Sequence, residues 1–266
     1  MTVRVEKNGA VTTVIHSRAE ARNAMDPRSA DELTAAFVAF DADSSASVAV
    51  FWGEGGAFCA GWDLKSATTL VDQEDPLAQF DFAPDHKPSP RGPMGPSRLV
   101  LSKPVIAAVA GPAVAGGFEL ALWCDLRVME QSAYFGVYCR RWGVPLIDGG
   151  TVRLPRLVGE GRALDIILTG RKVPAEEALR IGACERVVAD GTSRAEAESL
   201  AAQIARFPQM CMRADRRSVF LQHGLSEADA LRSEWANSRA VLKAEGLAGA
   251  ARFSAGQGRH GQFDGN

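Results

Sequence analysis

The chain has 266 residues, of which 46% are hydrophobic and 23% charged, a balance that is ordinary for a globular protein. Its net charge of −2 gives no electrostatic reason to expect a nucleic acid or a membrane surface as partner. No apolar stretch reaches the roughly 18 residues of a membrane span, and the five scattered cysteines fit neither a disulfide framework nor a zinc site, so a reducing cytoplasm is expected.

The N-terminal part of the chain predicts a hairpin, a helix and a buried strand. Apolar residues at 3–5 and 11–15 flank Asn8-Gly9, the strongest two-residue turn signal. Asp26-Pro27 then opens a helix, with the aspartate as its N-cap. The apolar face of this helix is expected from Leu33, Phe37, Val38 and Phe40. The strand is expected over residues 48–52.

Residues 66–98 interrupt the regular alternation. The segment contains Pro84, Pro88, Pro90, Pro93 and Pro96. It predicts an irregular or mobile stretch with one short helix near residues 75–80. Such a segment beside an active site often shapes the substrate pocket, and a solvated surface loop is the alternative.

Short strands alternate with helices again from Lys103, which predicts an α/β architecture. Strands are expected at 105–110, 126–129 and 133–137, and helices at 117–124, 149–157 and 162–169. After about residue 192 the apolar spacing is helical only, at 195–206, 210–223 and 227–245. The glycine-rich tail, 254–266, is expected to fray. We therefore divide the chain into a core, residues 1–192, and a C-terminal helical region, residues 193–266.

Two glycine turns, at residues 57–64 and 107–120, carry the main functional signal. The first holds Gly61 and Trp62, and the second holds Gly116, Gly117 and Glu119. Glycine lets a backbone approach a ligand closely, and free N–H groups at a helix start attract negative charge. Two such turns with one carboxylate would stabilise an oxyanion or enolate and move protons. Taken alone, either glycine turn could equally be a tight connection between a strand and a helix that binds no ligand.

Three side chains have both a functional and a structural interpretation. Glu119 either transfers protons or stabilises the dipole of its helix, and the apolar helix that follows favours the first. Asp148 precedes Gly149-Gly150 and a helix, so it is either an N-cap or an acid/base group. Cys139 has no histidine near it in sequence, which favours a buried inert thiol over a nucleophile. Motifs of serine hydrolases, zinc hydrolases, Walker A proteins and dinucleotide-binding proteins are absent from the sequence.

Four stretches of the sequence carry a family resemblance. They are Arg22-Asn23-Ala24-Met25, residues 57–64, residues 103–125 with Gly116-Gly117-Phe118-Glu119 and Cys124-Asp125, and residues 149–159. In this order they resemble the crotonase superfamily, also called the enoyl-CoA hydratase/isomerase family. Residues 160–182 and the C-terminal helices fit as well, so the resemblance covers nearly the whole chain.

The resemblance implies an acyl-CoA thioester substrate and no metal or redox cofactor. It implies a spiral of ββα turns whose C-terminal helices pack protomers into a homotrimer or a dimer of trimers. The backbone N–H groups of Trp62 and Gly116 would bind the thioester carbonyl oxygen, and Glu119 matches the first of two hydratase glutamates. The substrate is expected to contact Arg22, Ala24, Ala60, Gly61, Asp63, Leu64, Gly117, Cys139 and Trp142. The acyl pocket is expected to be walled by Trp62, Phe82 and Trp142.

One position departs from the hydratase pattern. Cys139 stands twenty residues after Glu119, where the resemblance places the second glutamate, so Asp148 becomes the candidate substitute. We expect first a hydratase of a 2-enoyl-CoA. An isomerase or another enolate-forming enzyme (hydrolase, decarboxylase) with one carboxylate comes second, and a non-catalytic acyl-CoA-binding protein third. An RNA-binding role, known for rare relatives, is discouraged by the isoelectric point of about 6.1.

Overall fold

The computed structural model of the protein describes residues 1–82 and 89–257. Its strands are β1 (Val3–Asn8), β2 (Val11–His16), β3 (Val48–Gly53), β4 (Val105–Val109), β5 (Pro112–Val114), β6 (Leu126–Glu130), β7 (Tyr134–Gly136), β8 (Lys172–Pro174) and β9 (Arg186–Val188). Its helices are α1 (Pro27–Ala42), α2 (Leu64–Ala67), α3 (Gly116–Trp123), α4 (Gly150–Val158), α5 (Glu160–Thr169), α6 (Ala175–Ile181), α7 (Ser193–Ala205), α8 (Gln209–Leu221), α9 (Glu227–Val241) and α10 (Leu247–Ser254). Residues 83–88 of the proline-rich segment and 258–266 of the predicted tail lie outside the described residues.

The predicted hairpin forms, but its turn is shifted by one residue. β1 and β2 pair antiparallel, and Asn8 faces Val11 as the last pair. The two loop residues are therefore Gly9 and Ala10, not Asn8-Gly9. Gly9 has φ of +56°, a left-handed conformation that glycine adopts without steric cost.

Helix α1 begins where the sequence predicts. The carboxylate of Asp26 accepts a hydrogen bond from the backbone N–H of Ser29 at 2.7 Å, which caps the helix. Of its predicted apolar face, Leu33, Phe37 and Phe40 are buried. Val38 is half exposed, because the next residue after Phe37 is rotated by about 100° around the helix axis.

The architecture is a spiral of ββα turns. β4, β5 and α3 make one turn, and β6, β7 and α4 make the next. In each turn the first strand joins a six-stranded sheet of order β1-β2-β3-β4-β6-β9, and the second joins a three-stranded sheet of order β5-β7-β8. From β2 to β9 the large sheet is parallel. The α/β class and the ββα repeat agree with the sequence prediction. The sequence analysis missed β5, β8 and β9, because a strand of only three residues is too short to show a periodic pattern.

Strands β3 and β4 are buried on both faces, which explains why they are continuously apolar. One face of the sheet, with Val48, Val50, Ile106 and Ala108, packs against Ala197, Leu200 and Ala201 of α7. The opposite face, with Phe51 and Ala107, belongs to the main core beneath α1 and α3. Helix α7 thus covers the outer surface of the large sheet.

The last two helices contribute nothing to this core. No residue of α9 or α10 within the described chain is buried. Large apolar side chains on them are exposed, among them Leu231, Trp235, Leu247 and Phe253. None of the helices within residues 1–82 and 89–257 combines the length and apolar character that crossing a membrane requires.

Candidate active site

A cavity of about 100 Å³ opens beside the start of α3. The predicted site residues that line it are Ala60, Trp62, Leu64, Gly116, Glu119, Cys139, Trp142 and Asp148. The lining residues that the sequence did not single out are Pro93, Met94, Ala115, Tyr138, Val144, Pro145 and Ile147. Pro93 and Met94 belong to the proline-rich segment, so this segment does shape the cavity wall.

The structure does not bring every predicted residue to the cavity. Those that do not line it are Arg22, Ala24, Gly61, Asp63, Gly117 and Phe82. The carboxylate of Asp63 caps α2 through the Lys65 N–H at 3.0 Å and pairs with Arg18 at 3.1 Å. Phe82 is half exposed, and the Arg98 guanidinium lies over its ring at 4.4 Å, so Phe82 does not wall this cavity.

The two glycine turns meet closely. Gly61 has φ of +95°, and a Cβ on it would lie 3.2 Å from the backbone nitrogen of Gly116. Across the described part of the chain, neither the Trp62 N–H nor the Gly116 N–H donates to a protein acceptor. Two amide groups without protein partners among the described residues therefore border one small cavity, and their role as oxyanion donors stays a prediction.

The start of α3 is held in an unusual conformation. Ala115, the residue before the helix, has φ of 53° and ψ of −126°, which a non-glycine residue rarely adopts. Its N–H donates to the Gly136 carbonyl at 2.8 Å, which fixes the helix start against β7. Gly117 has a packing role, because a Cβ there would lie 2.1 Å from the Cys59 carbonyl oxygen. Tertiary packing thus aims the first turn of α3, and Glu119 with it, at the cavity.

Glu119 is buried, with 2% of its surface exposed. Its Oε1 accepts hydrogen bonds from the backbone N–H of Asp148 at 2.9 Å and of Gly150 at 2.8 Å. Burial raises the pKa of Glu119 to about 7, although the hydrogen bonds from the Gly150 and Asp148 N–H groups act in the opposite direction. The nearby Asp148 carboxylate contributes to the increase. Near neutral pH this carboxyl can both accept and donate a proton, as general acid–base chemistry requires.

Asp148 is buried and does not cap α4. The residue before that helix is Gly149, and no side chain caps it. The Asp148 carboxylate instead accepts hydrogen bonds at Oδ1 from the Met94 N–H at 3.1 Å and from the Ser97 hydroxyl. Burial raises the pKa of Asp148. The N-cap interpretation is therefore wrong, and the carboxyl lines the cavity together with Glu119.

Cys139 and Trp142 also line the cavity, from the short helical segment Tyr138–Trp142. Burial raises the pKa of the Cys139 thiol, and the Glu119 carboxylate raises it further, so the thiol stays protonated at neutral pH. The burial of Cys139 agrees with the prediction, and its lack of a chemical role stays a prediction. Trp142 is 70% exposed and forms the rim of the cavity rather than its floor.

The charge pattern of the cavity is simple. Among residues 1–82 and 89–257, those that line it include two carboxyl groups, Glu119 and Asp148, and no lysine, arginine or histidine. Within residues 1–82 and 89–257, no group of three or more His, Cys, Asp or Glu side chains could hold a metal ion. Two buried carboxyls beside two amide donors can stabilise a developing oxyanion and move protons next to it.

The ββα spiral is the crotonase-like fold, and solved structures share it over nearly the whole chain. A crystal structure of an enoyl-CoA hydratase from Mycobacterium tuberculosis superposes with a TM-score of 0.84 at 30% identity, covering 96% of both chains. One from Bacillus anthracis gives a TM-score of 0.85 at 27% identity, again with 96% of both chains covered.

Sequence comparisons agree with the fold. An enoyl-CoA hydratase of Mycobacterium tuberculosis is 36% identical over 222 residues, which are 81% of this chain and 79% of that protein. A carnitinyl-CoA dehydratase of Salmonella arizonae is 37% identical over 206 residues, 77% of this chain and 74% of that protein. The family model described as enoyl-CoA hydratase/isomerase matches residues 6–246. The chain belongs to this family, as its motifs predicted.

Proposed function

We propose that this enzyme is an enoyl-CoA hydratase, which adds water across the double bond of a 2-enoyl-CoA thioester. The observation that carries the proposal is the buried Glu119, whose pKa of about 7 suits proton transfer, beside two unpaired backbone amides. The relatives named as a hydratase and a dehydratase of CoA thioesters support the same chemistry.

The backbone N–H groups of Trp62 and Gly116 are proposed to hold the thioester carbonyl oxygen. When the water oxygen bonds to the β-carbon, the electron pair of the double bond moves through the α-carbon onto this oxygen. Both donors then face the negative charge of an enolate. The loss of one such donor typically costs about 3 kcal/mol of transition-state stabilisation.

Glu119 and Asp148 are proposed to share the two proton movements of hydration. One carboxylate accepts a proton from the water as it adds at the β-carbon. The other carboxyl donates a proton to the α-carbon, which collapses the enolate to the product thioester. A proton then passes back between the two groups through solvent, so the enzyme is unchanged. Cys139 takes no part, because its thiol is a poor acid at neutral pH.

The remaining predicted residues are proposed to contact the rest of the substrate. Ala60, Leu64 and Trp142 line the cavity and would touch the pantetheine and acyl portions. The predicted residues that do not line the cavity are proposed to border the CoA nucleotide or to shape its path. They are Arg22, Ala24, Gly61, Asp63 and Gly117. The proposal requires no cofactor beyond the CoA portion of the substrate.

The C-terminal region, residues 193–266, is proposed to pack protomers into a homotrimer or a dimer of trimers, with residues 1–192 as the catalytic core. The exposed apolar side chains of α9 and α10 support this proposal, because large apolar patches usually mark association surfaces. We further propose that the enzyme works in the cytoplasm, where its five free cysteines would stay reduced.

The decisive experiment follows the ultraviolet absorbance of crotonyl-CoA and of a 3-enoyl-CoA. Wild type is compared with Glu119→Gln and with Glu176→Gln, a matched change at an exposed glutamate on α6. Hydration predicts that wild type and Glu176→Gln remove the conjugated band of crotonyl-CoA, while Glu119→Gln does not. No loss of that band with the wild-type enzyme would contradict the proposal.

An isomerase is the second candidate, and Cys139 is the observation that favours it. Moving a double bond requires one carboxylate to remove a proton from the α-carbon and return it to the γ-carbon, without a second acid. Gain of the conjugated band from the 3-enoyl-CoA alone would support this assignment. If the absorbance of neither thioester changes although the protein binds both, the result would favour a non-catalytic acyl-CoA-binding protein.

A further inference from the structure

The carboxyl of Asp148 is anchored through one oxygen. Its Oδ1 accepts hydrogen bonds from the Ser97 hydroxyl and the Met94 N–H, whereas no described residue donates to Oδ2. Ser97 is 1% exposed and Asp148 is 3% exposed. Oδ2 is therefore the oxygen that remains available to the cavity.

A tight turn makes room for this pair. Gly92 and Gly95 exchange two backbone hydrogen bonds, of 3.1 and 2.9 Å. A Cβ on Gly92 would lie 2.0 Å from the Ser97 Oγ and 2.4 Å from the Asp148 Oδ1. Only glycine at position 92 leaves space for the Ser97–Asp148 hydrogen bond.

The main chains of the two residues are also held together. One nitrogen of the Arg153 guanidinium donates to the Asp148 carbonyl at 2.8 Å, and another donates to the Ser97 carbonyl at 2.7 Å. Because the guanidinium is planar and rigid, it fixes the separation of the two backbones. These contacts keep the Ser97 hydroxyl within hydrogen-bond distance of the Asp148 Oδ1.

From this geometry we propose that Ser97 is a positioning residue, which holds Oδ1 of Asp148 so that Oδ2 faces the reacting atoms. This inference rests on the proposed role of Asp148 in proton transfer. The charged and titratable groups around Asp148 are Glu119, Arg98, Arg153 and Cys59. The Ser97 hydrogen bond stabilises the charged carboxylate and so lowers its pKa, against the effect of burial.

The test uses Ser97→Ala, Asp148→Asn and the double variant. Ser102→Ala is the matched control, because the hydroxyl of the exposed Ser102 donates to a carboxylate outside the cavity, that of Asp41, at 2.8 Å. Carbon-13 NMR of labelled aspartate carboxyls follows the titration of Asp148, identified by its disappearance in Asp148→Asn. We expect Ser97→Ala to raise this titration midpoint. We also expect kcat to fall between about tenfold and a hundredfold, with KM nearly unchanged.

Two further comparisons make the test specific. In the Asp148→Asn background, Ser97→Ala should lower kcat no further, because the group it positions is already lost. Ser97→Thr keeps the hydroxyl donor and should restore most of the titration and turnover. An unchanged Asp148 titration in Ser97→Ala, or an equal loss of kcat in both backgrounds, would overturn the proposal. A shifted titration in an enzyme that turns over neither thioester would support the Ser97–Asp148 pair and reject the proposed function.

Discussion

The backbone N–H of Asp148 donates a hydrogen bond to Oε1 of Glu119 at 2.9 Å. The loop that carries the second carboxyl thus also anchors the first. Each carboxyl is held through one oxygen, since Glu119 uses Oε1 and Asp148 uses Oδ1. Both groups enter the cavity with a fixed orientation and one oxygen without a donor among the described residues.

The first prediction concerns pH and stability at Glu119. An unfolded glutamate titrates near pH 4.3, whereas burial raises the pKa of Glu119 to about 7. Below pH 4 both states are protonated. Between these two values the unfolded chain ionises first, so the free energy of unfolding falls as pH rises, by about 4 kcal/mol in total. Because glutamine does not ionise, Glu119→Gln removes this loss. The variant should therefore have a larger free energy of unfolding than wild type at pH 8, and a nearly equal one at pH 4.

Urea denaturation of wild type and Glu119→Gln at pH 4, 6 and 8 measures this effect. Glu176→Gln, at an exposed position, should show no such trend. A stability difference between Glu119→Gln and wild type that stays constant with pH would contradict the raised pKa.

The second prediction concerns the close approach of the two glycine turns. Gly61→Ala places a Cβ 2.8 Å from the Ala115 Cβ and 3.2 Å from the Gly116 nitrogen, which forces the turns apart. We expect kcat to fall on the order of a hundredfold, the effect of losing one oxyanion donor. Steady-state kinetics with crotonyl-CoA gives the comparison.

The matched control for this change is Gly56→Ala. Gly56 also has a positive φ, +81°, but no atom lies within 4 Å of a Cβ placed there. Both variants should lose similar stability from backbone strain, about 1 kcal/mol. Equal kinetic defects in the two variants would show that strain, and not the separation of the amides, limits turnover.

The third prediction concerns the thiol in the cavity. Because burial raises the pKa of Cys139, we expect Cys139→Ala to keep kcat within about threefold of wild type. Cys184→Ala, which removes a buried thiol outside the cavity, controls for lost packing. A hundredfold loss in Cys139→Ala alone would assign the thiol a chemical role.

The fourth prediction concerns the C-terminal helices. Leu231 and Trp235 lie one turn apart on α9 and are 58% and 59% exposed, so they form one apolar face. Trp235→Glu would place a charge in the proposed subunit contact and should shift the protein toward monomers in sedimentation velocity. Val38→Glu, at a half-exposed position on α1, should leave the assembly intact. A monomeric wild type would contradict the proposed trimer.

The sequence by itself determined the features that depend on neighbouring residues. Asp26 caps α1, apolar runs form the buried strands, and the glycine turns precede helices because these signals act within a few residues. The family motifs added the fold and the prediction that Glu119 is a catalytic acid/base group. The same local reasoning placed Val38 in the core, misplaced the hairpin turn by one residue and left a helix cap open as one of two interpretations of Asp148.

Tertiary structure alone decided how the carboxyl groups are used. The donors to Asp148 lie 51 and 54 residues away, at Ser97 and Met94. The donors to Glu119 lie 29 and 31 residues away, at Asp148 and Gly150. No local pattern encodes such contacts, because they form only when the glycine turn at 92–95, the start of α3 and the loop before α4 pack together. Burial in that contact, rather than residue type, raises the pKa of Glu119 and of Asp148 and leaves Cys139 a protonated thiol.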